Sequence, residues 1–255
     1  MKKWTAIGIS LFVGVALAAA TPAKKYPEGR ATPFSKTASL GLASETLSNG
    51  APFWEMIPFH SMQKTGASCS SASATIVLNA LRGSADLTKD DELFTEESLL
   101  KCTRNKDWNI RVGIDTKSVL SGVRGTPLDL FAKYLLQSLN HCLPKKKWTV
   151  TANRPKAVQG TEGMDQFREA LAAFQTGKVK IIANFDQGKI FQDQAVGHLS
   201  PVGAYDAKTD RVLILDTDRK WYEPYWVPVS VLWEAMQTED SEKKQLRGYV
   251  VITGV

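Results

Sequence analysis

Gly197-His198-Leu199-Ser200-Pro201-Val202-Gly203-Ala204-Tyr205-Asp206-Ala207-Lys208-Thr209-Asp210-Arg211-Val212-Leu213-Ile214-Leu215-Asp216 reads as two apolar strands joined by a polar turn over residues 206–210. Folding the chain about that turn sets His198 opposite roughly residues 216 to 218. Strand side chains alternate with period two, so His198 and Asp216 emerge on one face. A carboxylate there holds one imidazole nitrogen and stabilises the imidazolium. The other nitrogen is left for whatever lies across from it.

Upstream of this hairpin, Val179 to Ala183 reads as a strand. Downstream, a short helix within Val227 to Gln237 and a last strand from Gly248 to Ile252 follow. The first half of the chain is different. Thr95 to Cys102 reads as a capped helix with acidic residues in its first turn. Thr126 as cap and Pro127 in the first turn open a helix carrying Leu128, Phe131, Leu135 and Leu139. Met164, Phe167, Leu171 and Phe174 share a helix face closed by Gly177, and Trp148 to Thr151 reads as a strand. Residues 103–124 show no clear period and read as an ordered loop. Helices first and antiparallel strands second is an α+β pattern, with a cleft expected between a helical and a stranded lobe.

Cys69 opens the most apolar of the helices, Ser70-Ser71-Ala72-Ser73-Ala74-Thr75-Ile76-Val77-Leu78-Asn79-Ala80-Leu81, which ends near Arg82-Gly83. A thiol at the positive end of the peptide dipoles favours the thiolate. Cysteine attack on an amide also needs a proton donor for the leaving amine and donors for the oxyanion. His198 supplies the first; Gln63, six residues before the cysteine, and the Cys69 backbone N–H supply the second. Taken singly, a Cys in an apolar helix packs, a His near a strand is a satisfied partner, and an Asp near a turn caps. The four residues together favour a site. His60 and His141 have no acidic partner at a comparable register and read as structural. A serine nucleophile elbow fails at Gly66-Ala67-Ser68-Cys69-Ser70, which has no second glycine and no clear preceding strand.

The ends and composition bound the rest. Met1-Lys2-Lys3, the apolar stretch Trp4 to Ala20 and then Thr21-Pro22 describe a secretory signal peptide over 1–20, with Ala16-Leu17-Ala18 and Thr21-Pro22-Ala23 both suited to processing. Residues 21–50 read as an extended leader and 51–255 as the catalytic domain. The net charge is +6, two charges of which (Lys2, Lys3) lie in the signal segment. So mild an excess suits anionic small molecules and is too diffuse for nucleic acid. Lys145-Lys146-Lys147 before Trp148 reads as a solvated turn. Of the three cysteines, Cys102 and Cys142 either pair in an oxidising compartment or are simply buried, and Cys69 is the odd thiol in both cases.

Gln63…Cys69, Gly197 to Tyr205 and Val212-Leu213-Ile214-Leu215-Asp216 resemble the phytochelatin synthase family, a branch of the papain-like cysteine peptidases. The resemblance extends over about residues 52–254, including Phe94-Thr95-Glu96, Gly125-Thr126-Pro127-Leu128-Asp129, Tyr225-Trp226-Val227, Leu232-Trp233-Glu234-Ala235-Met236 and Arg247-Gly248-Tyr249. It implies a papain-like two-lobed α+β fold, with Cys69, His198 and Asp216 as catalytic triad and Gln63 as oxyanion residue. The implied substrate is glutathione, whose Cys–Gly amide is cleaved to a γ-glutamylcysteinyl enzyme; the acyl group then passes to water or to a second glutathione. Arg247 matches a basic position and would meet a substrate carboxylate. No organic cofactor is implied, and cadmium, zinc or copper would enter as glutathione thiolate complexes of the substrate.

Ser68, Ser70 and Gly66 stand where family members usually carry an aromatic residue, a glycine and a polar residue. No Cys-rich metal-sensing domain follows Val255, so the expectation is the short bacterial type, in which cleavage can outweigh polymer synthesis. Export to the bacterial periplasm, no membrane attachment after processing, and a homodimer complete the expectations. A papain-like peptidase acting on other peptides and a non-catalytic thiol or metal-binding protein stay open as alternatives.

Overall fold

A computed structural model describes residues 25–43, 45–48, 52–83, 87–113, 125–157 and 159–254. The segment read as a signal peptide, 1–20, and residues 114–124 of the segment read as loop lie outside them. The helices in chain order are α1 Glu45–Ser48, α2 Pro52–Met56, α3 Cys69–Arg82, α4 Glu96–Thr103, α5 Lys106–Val112, α6 Leu128–Cys142, α7 Met164–Gln175, α8 Gln187–Phe191 and α9 Val229–Met236. The strands are β1 Thr32–Pro33, β2 Trp148–Asn153, β3 Lys180–Asp186, β4 Gly197–Asp206, β5 Arg211–Ile214, β6 Tyr225–Pro228 and β7 Gly248–Gly254. They form one seven-stranded antiparallel sheet in the order β1-β6-β5-β4-β3-β7-β2. The α+β, two-lobed arrangement read from the pattern is the one observed.

Helix α3 is buried on every side from Cys69 to Asn79. That environment explains its small residues, since a serine or alanine lets neighbouring backbone approach and a buried hydroxyl finds a partner. Ser73 donates to the Leu199 carbonyl of β4 at 2.9 Å, which pins the cysteine helix to the histidine strand. On β3, β4 and β7 pack α7 and α9, through Phe167, whose ring lies 4.6 Å from Tyr249 and 5.9 Å from Trp233.

The β4–β5 hairpin carries a register shift that decides the site. Asp206 pairs with Arg211, Tyr205 with Val212 and Ala204 with Leu213, but Val202 pairs with Ile214. A regular hairpin continuing the first register would put His198 opposite Arg219 and leave Asp216 on the other face. The extra residue, Gly203, moves the pairing by one, and a one-residue slip exchanges the faces. The Leu215 amide then donates to the Pro201 carbonyl at 2.9 Å, carrying the new register to Asp216. The reading of residue 198 opposite 216 to 218 therefore holds, through a bulge rather than through turn symmetry. A Cβ on Gly203 would stand 2.8 Å from two carbons of the buried Leu215. Gly203→Ala should cost about 1–3 kcal/mol of stability, measured by urea denaturation.

Some elements differ from their sequence reading. Lys106–Val112 is a helix, not loop. Asn105 caps it by accepting from the Trp108 amide, and Trp108 and Val112 are buried one turn apart, a signal too short to show a period. Helix α6 starts one residue after Pro127, and Thr126 does not cap it; the Thr126 hydroxyl bonds Ser70 Oγ instead, at 3.1 Å. Within the segment read as leader, Thr32–Pro33 adds an edge strand to β6, and Thr46 is buried with its hydroxyl on Asp206.

Cys102 and Cys142 are disulfide-bonded, with Cα atoms 6.0 Å apart, and Cys69 is free. The bridge ties α4 to α6 across a sequence separation of 40. Closing a loop of that size restricts the unfolded chain by about 4 kcal/mol in the chain-entropy account.

Candidate active site

The segment leading into α3 is held rigidly. The Lys64 amide donates to Glu96 Oε1 at 2.8 Å, the Ser71 hydroxyl donates to Glu96 Oε2, and the Thr65 amide donates to Ser68 Oγ at 3.0 Å. Burial pushes the Glu96 carboxyl up, against the hydrogen bonds from Ser71, Lys64 and Ser68. Ser70, the first residue after the cysteine, accepts from the Trp108 indole N–H at 2.9 Å. The serine in a place where glycine is usual is thus used: it links α3 to α5 and to Thr126.

Cys69 is the first residue of α3 and 6% exposed. His198, second in β4, is buried, lines the same cavity as Cys69 and interacts with its side chain. Its Nε2 meets Asp216 Oδ1 at 2.8 Å, which leaves Nδ1 for the sulfur. Edge-on packing against Phe185, the residue opposite it on β3, sets the ring plane at 5.6 Å. Burial alone would lower the His198 pKa; the Asp216 carboxylate and Cys69 outweigh it and hold the imidazole well above its ordinary value.

Asp216 is fully buried and accepts four hydrogen bonds: His198 Nε2 and the Asp218 amide (2.7 Å) on Oδ1, Tyr225 Oη (2.7 Å) and Gln187 Nε2 (3.0 Å) on Oδ2. Burial would raise this carboxyl, but the His198 charge and the hydrogen bonds from His198, Tyr225 and the Asp218 amide keep it below the usual carboxylate range. Sequence reasoning missed Gln187 and Tyr225. Tyr225 lay in one of the stretches that carry the resemblance; Gln187 lay within its span but in none of those motifs, and its place follows from the short helix α8. His60, read as structural, donates through Nε2 to the Asp216 carbonyl at 2.8 Å. It therefore braces the same residue from the backbone side.

Gln63 is tied to Thr217, the residue after Asp216, and is not among the residues that line the cavity over Cys69. Its amide N–H donates to the Thr217 carbonyl at 2.8 Å, and its side-chain Oε1 accepts from the Thr217 hydroxyl at 3.1 Å. With the oxygen end engaged, the NH2 end of the amide is the one left for an anion.

A cavity of about 210 Å³ opens over Cys69 and His198, walled by Gly66, Ala67, Thr126, Asn184, Asp240 and Arg247, among others. Arg247 is 8% exposed; its Nη1 donates to Thr238 Oγ1 at 2.9 Å and to the Glu239 carbonyl, and its guanidinium lies against Gly197. Burial lowers its pKa, with Asp186 and Asp240 opposing. Cys69, His198 and Asp216 thus converge, Gln63 is tied beside Asp216 through Thr217, and Arg247 stands on the wall of the same cavity.

This arrangement has a match in sequence comparison: the family model described as phytochelatin synthase covers residues 27–249. The chain belongs to the phytochelatin synthase family. The match begins inside the segment read as leader, consistent with the packing of β1 and α1 on the sheet. Among relatives, a glutathione gamma-glutamylcysteinyltransferase 1 of Arabidopsis thaliana is 30% identical over 234 residues, which is 90% of this chain and 43% of that protein. The protein of the same name from Triticum aestivum is 27% identical over 231 residues, 89% of this chain and 41% of its own length. A Schizosaccharomyces pombe glutathione gamma-glutamylcysteinyltransferase is 35% identical over 88 residues, 34% of this chain and 21% of its own. The chain thus spans less than half the length of these relatives.

Proposed function

We propose that this protein is a glutathione γ-glutamylcysteinyltransferase that also hydrolyses, with Cys69 as nucleophile, His198 as acid and base, Asp216 as its orienting carboxylate and Gln63 as oxyanion donor. The observation that carries the reading is the placement of one buried imidazole between a helix-start cysteine and a four-donor carboxylate. The names of the relatives support the substrate.

In this mechanism the helix start and the imidazolium stabilise the Cys69 thiolate. It attacks the Cys–Gly amide carbon of glutathione, and the oxyanion takes hydrogen bonds from the Gln63 NH2 group and the Cys69 backbone N–H. His198 then gives its proton to the glycine nitrogen, the C–N bond breaks and glycine leaves. The γ-glutamylcysteinyl thioester is resolved by water or by the amine of a second glutathione, with neutral His198 taking the proton. Arg247 meets a substrate carboxylate, and cadmium, zinc or copper enter as thiolate complexes of the substrate. The Cys102–Cys142 bridge supports an exported, oxidising location.

The test is to incubate purified protein with glutathione, with and without cadmium, and follow products by mass spectrometry. Glycine with γ-glutamylcysteine indicates hydrolysis and longer oligomers indicate transfer; no glycine under either condition ends the reading. Gln63→Ala should lower kcat by about 10²-fold, the loss typical of one oxyanion donor, with KM for glutathione little changed.

A further inference from the structure

The disulfide sits where two helices end: Cys102 in the last turn of α4 and Cys142 as the final residue of α6. Beside it opens a second cavity, about 570 Å³, lined by Ser98, Lys101, Cys102, Arg104 and His141. Both cysteines are half-buried, while Lys101, Arg104 and His141 are exposed, and no carboxylate is among the described residues lining it. An electrophilic sulfur in a cleft lined by two fixed cations and an imidazole is matched to one kind of visitor. A peptide with carboxylates and a thiol would be drawn by the cations and would bring a thiolate to the sulfur.

We propose that this cleft docks an anionic thiol peptide of the glutathione class and that Cys102 is the site of a mixed disulfide. The supply of that peptide rests on the function proposed above. The thiolate attacks the Sγ of Cys102, the half-cystine that lines the cavity; the Cys102–Cys142 bond breaks and Cys142 leaves as thiolate, taking a proton from water. A second peptide thiolate attacking the mixed disulfide releases oxidised peptide and the Cys102 thiolate. The exchange would reach the active site through α4. That helix carries the bridge at one end and, at the other, Glu96, which holds Lys64 and Ser71 on either side of Cys69.

The experiment uses the full chain carrying Cys69→Ala, so that no acyl transfer consumes the peptide. It is exposed to reduced glutathione or to neutral 2-mercaptoethanol, quenched by alkylation and mapped by mass spectrometry. Expected are a glutathionyl group on Cys102 and an alkylated Cys142. Adding Lys101→Gln with Arg104→Gln should slow the glutathione reaction about fivefold, as two exposed charge pairs would, and slow the 2-mercaptoethanol reaction less, since its thiolate carries no carboxylates. A disulfide that stays intact in glutathione, a glutathionyl group on Cys142 alone, or equal slowing with both thiols overturns the proposal. Glycine release by the wild-type protein is read separately. A mixed disulfide without glycine release would keep this site and remove the glutathione-cleaving one.

Discussion

Cys69→Ala should yield a folded protein whose release of glycine from glutathione is lower by on the order of 10⁴-fold or more, the scale seen when a covalent nucleophile is removed. The fold should survive because the change removes one sulfur from a helix start already fixed by Ser68, Ser70, Ser71 and Ser73. The second readout is the acyl-enzyme. Wild-type protein mixed briefly with glutathione and quenched in acid should carry one γ-glutamylcysteinyl group on the peptide containing Cys69, and the variant none. Glycine release at the wild-type rate from the variant would sink the mechanism.

Asp216→Asn is expected to be nearly as damaging, by about 10⁴-fold in kcat, as in triads where the orienting carboxylate becomes an amide. All four groups around Asp216 are donors, and an asparagine turns one of its two acceptors into a competing donor. The mismatch should cost about 1–3 kcal/mol of stability. The pH dependence gives a sharper signature. Asp216 is depressed in the folded state, so its contribution to stability is present above the usual carboxylate range and fades as pH falls through the depressed value. His198 is raised, so its contribution is full below its ordinary 6.5 and fades as pH rises through the raised value. Without the carboxylate that raises it, the imidazole should lose its proton at lower pH. The alkaline limb of the kcat/KM profile should move down, and the alkaline loss of thermal stability expected of the wild type should shrink. An alkaline limb that stays in place would show that some other group sets it.

Much of the candidate site was legible in the chain because it depends on two short-range patterns: a cysteine opening an apolar helix, and a histidine and aspartate flanking a hairpin. What stayed hidden depends on long-range packing. The Gly203 bulge leaves no periodic trace, since an extra glycine in an apolar strand reads as one more strand residue. Helix α5 is about two turns of helix fixed by Asn105 and by burial of Trp108. Gln187 reaches Asp216 only because α8 follows directly on β3. The leader's short strand needed β6 as a template before it could form.

The bulge also separates the hairpin into two mechanical halves. The contacts that carry the shifted register to His198 and Asp216, Val202 with Ile214 and Pro201 with Leu215, lie on the cleft side of Gly203, while Ala207 and Lys208 at the far tip are exposed. An epitope or fluorophore tag grafted between those two residues would lengthen the tip without entering the ladder. That makes it a natural handle for labelling or immobilising the protein.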